Sequence, residues 1–251
     1  MTTGKGSLSG KWALITGAAR RVGACTARTL HAEGAGVVIH YRKSAVPAKA
    51  LADELNGIRP ASAFAIHADL LDTGSFNSMV DAVVGQAGRL DILINNASSF
   101  YATPLGNVTL AQWDDLVGTN LRAPLFLSQT ALPHLKAARG VIVNLIDIHA
   151  VRPLREHPVY GAAKAGLAML TRAMARDLAP HVRVNGVAPG AVLWPDDGIA
   201  EQTKEAIIRQ IPMKRAGEPG DITGCILYLV RDAAYVTGQI INVDGGRSIG
   251  W

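Results

Sequence analysis

Cysteine is scarce in this chain of 251 residues. It has two cysteines, Cys25 and Cys225, which form no C-x-x-C motif and show no metal-ligand spacing. Both lie in patterns typical of helices, where a thiol packs as a small apolar group. The sequence therefore disfavours a disulfide framework, a cysteine redox centre and a metal site, and we predict no bound metal.

Long apolar runs are also absent. No stretch approaches the ~20 apolar residues that a membrane span requires, and the Gly/Ser/Thr-rich start before Trp12 lacks the apolar centre of a signal peptide. The 25 Lys and Arg residues, against 20 Asp and Glu, never stand more than two in succession. We therefore expect a cytoplasmic protein that binds neither membrane nor nucleic acid.

The remaining composition is that of a globular protein, with 49% hydrophobic and 18% charged residues. A chain of this length fits one large α/β domain. We expect residues 1–251 to form a single dinucleotide-binding and catalytic domain, with residues 1–9 flexible.

Short β-branched runs alternate with longer helical patterns along the chain. Strands are predicted at Ala13–Ile15, Val37–His40, Ala63–His67, Ile92–Ile94, Val141–Leu145, Arg183–Ala188 and Ile240–Val243. Helices are predicted at Arg21–Glu33, Pro47–Asn56, Thr73–Gly88, Thr109–Lys136, Tyr160–Ala179 and Pro219–Arg231. Because crossovers between parallel strands are right-handed, this order predicts a Rossmann-like, doubly wound α/β fold of about seven strands with helices on both faces.

One long connection, Pro189–Pro212, interrupts the alternation. It is polar in its middle and flanked by small residues, so an active-site lid and a plain surface excursion both fit it.

A phosphate-binding turn follows the first strand. Thr16–Gly23 reads TGAARRVG and opens a helix, whose free N–H groups and dipole favour a pyrophosphate. The turn has Arg21 where many such motifs have a second glycine, so its strand–turn–helix context carries the inference.

The end of the second strand bears on the choice of cofactor. It reads His40-Tyr41-Arg42-Lys43-Ser44 and has no acid to hold the ribose hydroxyls of NAD. Arg42 and Ser44 suit a 2′-phosphate instead, and two charge-assisted hydrogen bonds of ~1.5–3 kcal/mol each would favour NADPH by roughly 10²–10⁴-fold. The alternative is that Arg42 and Lys43 are a solvated loop pair.

Tyr160 and Lys164 are spaced to share one helix face. A nearby ammonium favours a phenolate, so we predict that Lys164 lowers the pKa of Tyr160 and makes it a proton donor near neutrality.

Together with the turn, this pair and its companions resemble the short-chain dehydrogenase/reductase family over nearly the whole chain. The companions are Asn95-Asn96-Ala97, Asn120, Asn185 and Pro189-Gly190, in the family's order. The resemblance implies that Tyr160 transfers the proton, that Lys164 binds the nicotinamide ribose, and that Asn120 supports a proton-relay water. It further implies cofactor contacts from Gly17, Arg20, Arg21, Val22, Gly23, His40, Tyr41, Arg42, Ser44, Asp69, Leu70, Asn96, Ala97, Ser98, Lys164, Pro189 and Gly190.

One position departs from the family pattern. Thirteen residues before Tyr160, where the family commonly has serine, the chain has Asp147. A carboxylate would repel the negative charge that grows on a carbonyl oxygen, which disfavours ordinary ketone reduction. A Tyr–Asp couple can instead protonate a ring nitrogen beside the carbon that receives hydride.

Pteridine reductases of this family resemble the chain at this departure. They also resemble it in the Arg20-Arg21 turn and in the run Asn95–Tyr101, NNASSFY. The resemblance implies a pterin stacked between Phe100 and the nicotinamide, contacts from Ser98 and Arg20, and a homotetramer. For Phe100 an apolar plug is the alternative.

We therefore predict NADPH-dependent reduction of dihydropterins, with dihydrofolate as a further candidate substrate. The catalytic residues would be Asp147, Tyr160, Lys164 and Asn120, and the substrate would contact Arg20, Ser98, Phe100, Asp147 and Tyr160. Two alternatives stay open: a short-chain carbonyl or 3-oxoacyl reductase, and a non-catalytic sensor of the NADP redox state.

Overall fold

The computed structural model describes residues 7–194, 198 and 200–249. Residues 1–6 of the segment predicted to be flexible lie outside this range. Within it, Leu8 is fully buried, and its N–H donates to the carbonyl oxygen of Glu33 at 2.9 Å. The described chain therefore enters the core at Leu8.

A seven-stranded parallel sheet forms the centre of the fold, in the order β3-β2-β1-β4-β5-β6-β7. The strands are β1 Trp12–Ile15, β2 Gly36–Tyr41, β3 Ala63–His67, β4 Ile92–Asn95, β5 Val141–Leu145, β6 Arg183–Pro189 and β7 Ile240–Val243. Each predicted strand is confirmed to within one residue at either end. The order reverses between β1 and β4, which opens a crevice at the carboxyl ends of these strands.

Eight α-helices flank the sheet within the described residues. They are α1 Arg21–Ala32, α2 Ala45–Ile58, α3 Phe76–Ala87, α4 Leu110–Val117, α5 Ala123–Ala137, α6 Pro158–Leu178, α7 Glu201–Arg209 and α8 Pro219–Arg231. Side chains of α1, α2 and α8 pack in one core cluster, and those of α3, α5 and α6 in another. Successive strand residues belong to opposite clusters: Ile15 packs in the first and Leu14 in the second. Both faces of the sheet are therefore covered by helices, which confirms the predicted fold class. None of the described helices has both the length and the apolar character to cross a membrane.

One helix prediction needs correction, and one helix was missed. The continuous helix predicted at Thr109–Lys136 is interrupted by a π-helical turn at Gly118–Arg122, a feature that often marks functional sites. Thr109 itself is the N-cap of α4, where its side chain accepts a hydrogen bond from Gln112 N at 3.2 Å. The connection Pro189–Pro212 contains α7, which the sequence analysis missed, and residues 195–197 and 199 of this connection lie outside the described residues.

A buried polar network lies directly beneath the carboxyl ends of β4 and β5. Asn95 Nδ2 donates to Asn144 Oδ1 at 2.8 Å, and Asn144 Nδ2 donates to Thr171 Oγ1 on α6 at 2.9 Å. Thr171 Oγ1 donates in turn to the carbonyl oxygen of Leu167 at 2.8 Å. The network ties α6, which carries Tyr160 and Lys164, to the centre of the sheet.

We predict that Thr171→Val lowers the free energy of unfolding by about 1–3 kcal/mol, because a methyl group replaces the acceptor of Asn144 Nδ2 and leaves that buried donor unpaired. Urea denaturation followed by circular dichroism measures the change. Thr130→Val on α5 is the matched control, since no hydrogen bond of its hydroxyl to the described residues is found. Equal stability of the two variants would contradict the structural role of the network.

Candidate active site

A cleft of about 550 Å³ lies at the crevice between β1 and β4. Most of the residues predicted to contact the cofactor line it, namely Gly17, Arg20, Arg21, Val22, Gly23, His40, Tyr41, Arg42, Ser44, Asp69, Leu70, Asn96, Ala97 and Ser98. The lining also includes Ala19, Lys43, Ser99 and Thr119, which the sequence analysis did not name as contacts. Three predicted contacts, Lys164, Pro189 and Gly190, do not line this cleft.

The phosphate-binding turn leaves no room for larger residues. Gly17 has φ 62°, and a Cβ there would lie 3.0 Å from Ala97 Cα. A Cβ at Gly23 would lie 2.5 Å from the carbonyl oxygen of Gly17. Arg21, which stands where many motifs have glycine, nevertheless adopts φ 55° and keeps the left-handed backbone that glycine usually supplies. The turn and the start of α1 therefore fit a dinucleotide phosphate.

Hydrogen bonds of the His40 side chain hold this turn in place. Its ring is 1% exposed; Gly17 N donates to Nδ1 at 3.1 Å, and Nε2 lies 3.2 Å from the carbonyl oxygen of Ala68. Since one nitrogen accepts, the other carries the proton and donates to Ala68. Burial lowers the pKa of His40 to about 4, so the ring is neutral at physiological pH. His40 thus links the turn after β1 to the end of β3.

The basic residue predicted to select the cofactor already has acidic neighbours. Arg42 Nε lies 3.5 Å from Asp69 Oδ2, and Arg42 Nη1 lies 4.0 Å from Asp115 Oδ1. Ser44 is the N-cap residue of α2, at the same end of the cleft. The side chain of Arg42 is 40% exposed, so a phosphate can reach it from solvent.

Tyr160 and Asp147 form a hydrogen-bonded couple. Tyr160 Oη donates to Asp147 Oδ2 at 2.7 Å, while the other carboxylate oxygen accepts the N–H of His149 at 2.8 Å. Burial of the ring, followed by the charge and hydrogen bond of Asp147, raises the pKa of Tyr160 well above its usual value. The predicted lowering of this pKa by Lys164 is therefore wrong, because the nearest charge to the phenol is the carboxylate.

Lys164 lies deeper, at 2% exposure. Its Nζ donates to the carbonyl oxygen of Leu145 at 2.8 Å and lies 5.7 Å from the centre of the Tyr160 ring. Burial lowers the pKa of Lys164 to about 8, and the charge of Asp147 offsets part of this effect. The ammonium is oriented by the end of β5 rather than by an ion pair within the described chain.

Asn120 sits in the π-helical turn and is fully buried. Its Nδ2 donates to the carbonyl oxygens of Ser99 at 2.8 Å and Leu116 at 3.0 Å, and its Oδ1 accepts from Ser98 Oγ at 2.7 Å. Both amide hydrogens are thus used within the protein. The side chain of Asn120 fixes the loop after β4, on which Ser98 and Phe100 stand.

Phe100 stands beside the Tyr160 couple. Its ring stacks on His157 with centres 4.7 Å apart and meets the edge of Tyr160 at 4.8 Å. Phe100 is 53% exposed, so one part of the ring packs on these neighbours and the rest is open to solvent. Sequence analysis gave no signal for His157, because the contact joins residues that are distant in the chain.

The two arginines of the turn differ in their surroundings. Arg20 is exposed and lines the cleft. Arg21 reaches across to the segment after β6, where its guanidinium donates to the carbonyl oxygens of Trp194 at 3.2 Å and Leu193 at 3.4 Å. The link from Arg21 to this segment was not predicted.

No cluster of three or more His, Cys, Asp or Glu side chains that could hold a metal ion is found among the described residues. The described part of the site brings together one carboxylate, one phenol and one buried ammonium, and the cleft at the phosphate-binding turn lies close by.

Comparison with known proteins agrees with this geometry. Residues 17–248 match the family model described as enoyl-(acyl carrier protein) reductase. Pteridine reductase 1 of Leishmania tarentolae is 37% identical over 278 aligned positions, which cover 94% of this chain and 96% of that protein. The 3-oxoacyl-(acyl-carrier-protein) reductase of Staphylococcus aureus strain Mu50 is 36% identical over 240 positions, which cover 94% and 97%.

An uncharacterised oxidoreductase of Methylorubrum extorquens is 34% identical, over 95% of this chain and 98% of its own. These matches extend over nearly the full length of both partners in each pair. The chain belongs to the short-chain dehydrogenase/reductase family of oxidoreductases.

Proposed function

We propose that this protein reduces a pterin ring with NADPH, adding hydride to a ring carbon and a proton to the adjacent nitrogen. The observation that carries the proposal is the 2.7 Å hydrogen bond from Tyr160 to Asp147. The L. tarentolae relative, named for pteridine reduction, gives independent support.

The protein's own residues supply the proton and hold the reactants. NADPH, when bound in the cleft, supplies the hydride. Tyr160 carries its proton on the oxygen that donates to Asp147, and its raised pKa keeps the proton there until a stronger base is present. A ring nitrogen becomes such a base when the neighbouring carbon accepts hydride, so the proton moves as the C=N bond is reduced.

Asp147 holds the phenol in one orientation. His149 N fixes one carboxylate oxygen and Tyr160 Oη occupies the other, so the side chain cannot rotate without losing a hydrogen bond. Proton loss from Tyr160 would leave two negative charges side by side, which favours rapid return of a proton from solvent.

A 3-oxoacyl reductase is the second candidate, since the S. aureus relative is named for that activity at 36% identity. Both carboxylate oxygens of Asp147 accept hydrogen bonds, from Tyr160 and from His149 N, so this side chain is not placed to donate to a carbonyl oxygen as a serine hydroxyl can, and this weighs against it. A non-catalytic NADP sensor needs no Tyr–Asp couple above a buried lysine, and the presence of both weighs against that alternative.

Assembly into a homotetramer in the cytoplasm belongs to the same proposal. Phe126 on α5 and Met169 on α6 are 40% and 63% exposed and border a shallow apolar surface, which a second copy would cover. Cys25 and Cys225 are free thiols, which fits a reducing compartment.

We expect Asp147→Ser to lower kcat/KM for 7,8-dihydrobiopterin by ~10²–10⁴-fold, because the phenol loses the acceptor that orients it. Activity toward simple ketones and acetoacetyl thioesters should persist at its original level or rise. NADPH oxidation at 340 nm measures both.

The matched control is Asp72→Ser, since Asp72 also caps a 3-10 turn and accepts a main-chain N–H, that of Gly74 at 3.1 Å. If the wild-type protein turns over ketones and no pterin, the proposed function is wrong.

We expect Arg42→Leu to weaken NADPH binding by ~10–100-fold and NADH binding by less than about 3-fold, because only NADPH has the 2′-phosphate that a guanidinium would pair with. Fluorescence titration of either nucleotide gives the dissociation constants without turnover. Lys49→Leu is the control, since Lys49 is exposed and pairs with Asp53 at 2.9 Å. Equal losses of affinity for NADPH and NADH would show that Arg42 does not contact the 2′-phosphate.

We expect Lys164→Met to abolish turnover yet raise the free energy of unfolding at pH 7 by about 1–3 kcal/mol. Burial penalises the ammonium in the folded state wherever both folded and unfolded forms are charged, which is below about pH 8. As pH rises from 8 toward the usual value of 10.5, the folded protein loses a proton that the unfolded chain keeps, and the penalty disappears.

The stability gain should therefore shrink between pH 8 and pH 10. Guanidinium denaturation at pH 7 and at pH 10 measures it. Lys136→Met, at an exposed position of α5, should show no such gain. A Lys164→Met protein less stable than the wild type at pH 7 would contradict the expected penalty.

A further inference from the structure

The loop after β4 carries Phe100 beside the reaction site, and the main chain of this loop is fixed on both sides of Phe100. On one side, the carbonyl oxygen of Ser99 accepts a hydrogen bond from Asn120 Nδ2 at 2.8 Å. On the other side, Tyr101 packs in the small core cluster that contains Tyr160. The remaining freedom of Phe100 therefore lies chiefly in the torsions of its own side chain.

A second aromatic ring limits these torsions. The imidazole of His157 lies nearly parallel to the Phe100 ring, with an interplanar angle of 16° and ring centres 4.7 Å apart. The Tyr160 ring lies nearly perpendicular to Phe100, at 78° and with centres 4.8 Å apart. Since Phe100 is still 53% exposed, the stack covers one face of its ring and leaves much of the rest open. An aromatic face is thus available beside the phenol that holds the proton.

Hydrogen bonds hold both the main chain and the ring of His157. It is the N-cap residue of α6, and its carbonyl oxygen accepts from Gly161 N at 3.0 Å. Its Nδ1 lies 2.7 Å from the carbonyl oxygen of Arg155, so Nδ1 carries a proton and donates there. The plane of the imidazole is therefore fixed, three residues before Tyr160 at the start of the same helix.

A main-chain hydrogen bond joins the loops that carry the two stacked rings. Thr103 N donates to the carbonyl oxygen of Glu156 at 2.6 Å, one residue before His157. Glu156 adopts φ 62°, a left-handed conformation that costs a non-glycine residue free energy. Thr103 is fully buried, so this bond is shielded from water and keeps the two loops at one separation.

The side chain of His157 has no second structural task among the described residues. It makes no hydrogen bond that caps α6, and the bond to the carbonyl oxygen of Arg155 is the one hydrogen bond of its ring found there. Its main contact with the rest of the site is the stack on Phe100. The position of this ring therefore bears directly on the orientation of Phe100.

We propose that His157 is a positioning residue for the reaction at Tyr160: its ring holds Phe100 in the orientation in which the open face of Phe100 stacks on a flat heteroaromatic substrate. This inference rests on the proposed function, because it needs a substrate with a flat ring. His157 touches no reacting atom and acts through Phe100. Because His157 and Tyr160 both stand at the start of α6, the aromatic face and the proton donor keep a fixed relative position.

The first test compares three variants of His157 with the wild-type protein in the reduction of 7,8-dihydrobiopterin. We expect His157→Ala to raise KM ~3–10-fold, the range that an aromatic pair contributes, with kcat changed by less than about 3-fold because Tyr160 and Asp147 stay in place. His157→Phe keeps a ring that can stack and should restore KM to within about 2-fold of the wild-type value. Asparagine is a good helix N-cap but has no ring, so His157→Asn should raise KM as much as His157→Ala does.

A double-mutant cycle tests whether His157 acts through Phe100. Phe100→Leu removes the ring that His157 holds, so in that background we expect His157→Ala to change KM by less than about 2-fold. The matched control is His181→Ala, at an exposed histidine in the turn before β6, which should leave KM unchanged. The dissociation constant of NADPH, from fluorescence titration, should change by less than about 2-fold in each His157 variant, because the cofactor cleft is not touched.

The outcomes separate the positioning role from the proposed function. Equal effects of His157→Ala with and without the Phe100 ring, or no rescue by His157→Phe, overturn the positioning role, while pterin turnover by the wild-type protein leaves the proposed function standing. If the wild-type protein reduces no pterin, the proposed function fails, and the same cycle is measured on the dissociation constant of biopterin from the NADP⁺-loaded protein. Coupled effects then support a positioning role toward flat ligands, and independent effects or an absence of binding overturn it.

Discussion

The carboxylate of Asp147 is the charge around which the rest of the site is arranged. It accepts the hydrogen bond of Tyr160, helps to raise the pKa of that phenol and partly offsets the lowering of the pKa of buried Lys164. Its charge also raises the pKa of Arg247, against the effect of burial. A neutral residue at this position would remove a negative charge that raises the pKa values of Tyr160, Lys164 and Arg247. The electrostatics of these groups are therefore interdependent, and a change at residue 147 would alter the pKa of each of them.

The fold can hold such a charge because the buried polar groups beneath the site have hydrogen-bond partners. Lys164 is buried against the end of β5, and the side chain next to that end, Asn144, is fixed by Asn95 and Thr171. On the cofactor side, His40 performs the equivalent task for the phosphate-binding turn. Both arrangements place a buried polar side chain under a functional backbone segment. Burying such a group costs free energy of desolvation unless all its hydrogen bonds are made, so the network favours the one conformation in which they are made.

The sequence analysis succeeded where the signal was local. Buried parallel strands are short and β-branched, so all seven could be placed, and the Tyr160–Lys164 spacing put both side chains on one face of α6. It failed where tertiary contacts decide. The polar segment that forms α7 has no buried residue to create a periodic pattern, and the π-helical turn depends on how Asn120 meets the loop after β4. The pKa of Tyr160 was predicted in the wrong direction because chain spacing identifies Lys164 as a neighbour but gives no distance to Asp147.

Overall identity is a poor guide to which reaction this family member performs. Relatives named for pterin reduction and for 3-oxoacyl reduction match at 37% and 36%, because identity over 94% of the chain measures chiefly a sheet and helices that both activities need. Asp147, the residue that departs from the family pattern, stands just after the carboxyl end of β5. A serine hydroxyl at this position would donate a hydrogen bond to a carbonyl oxygen of the substrate. The carboxylate of Asp147 instead accepts the hydrogen bond of Tyr160, so the proton stays on the phenol oxygen.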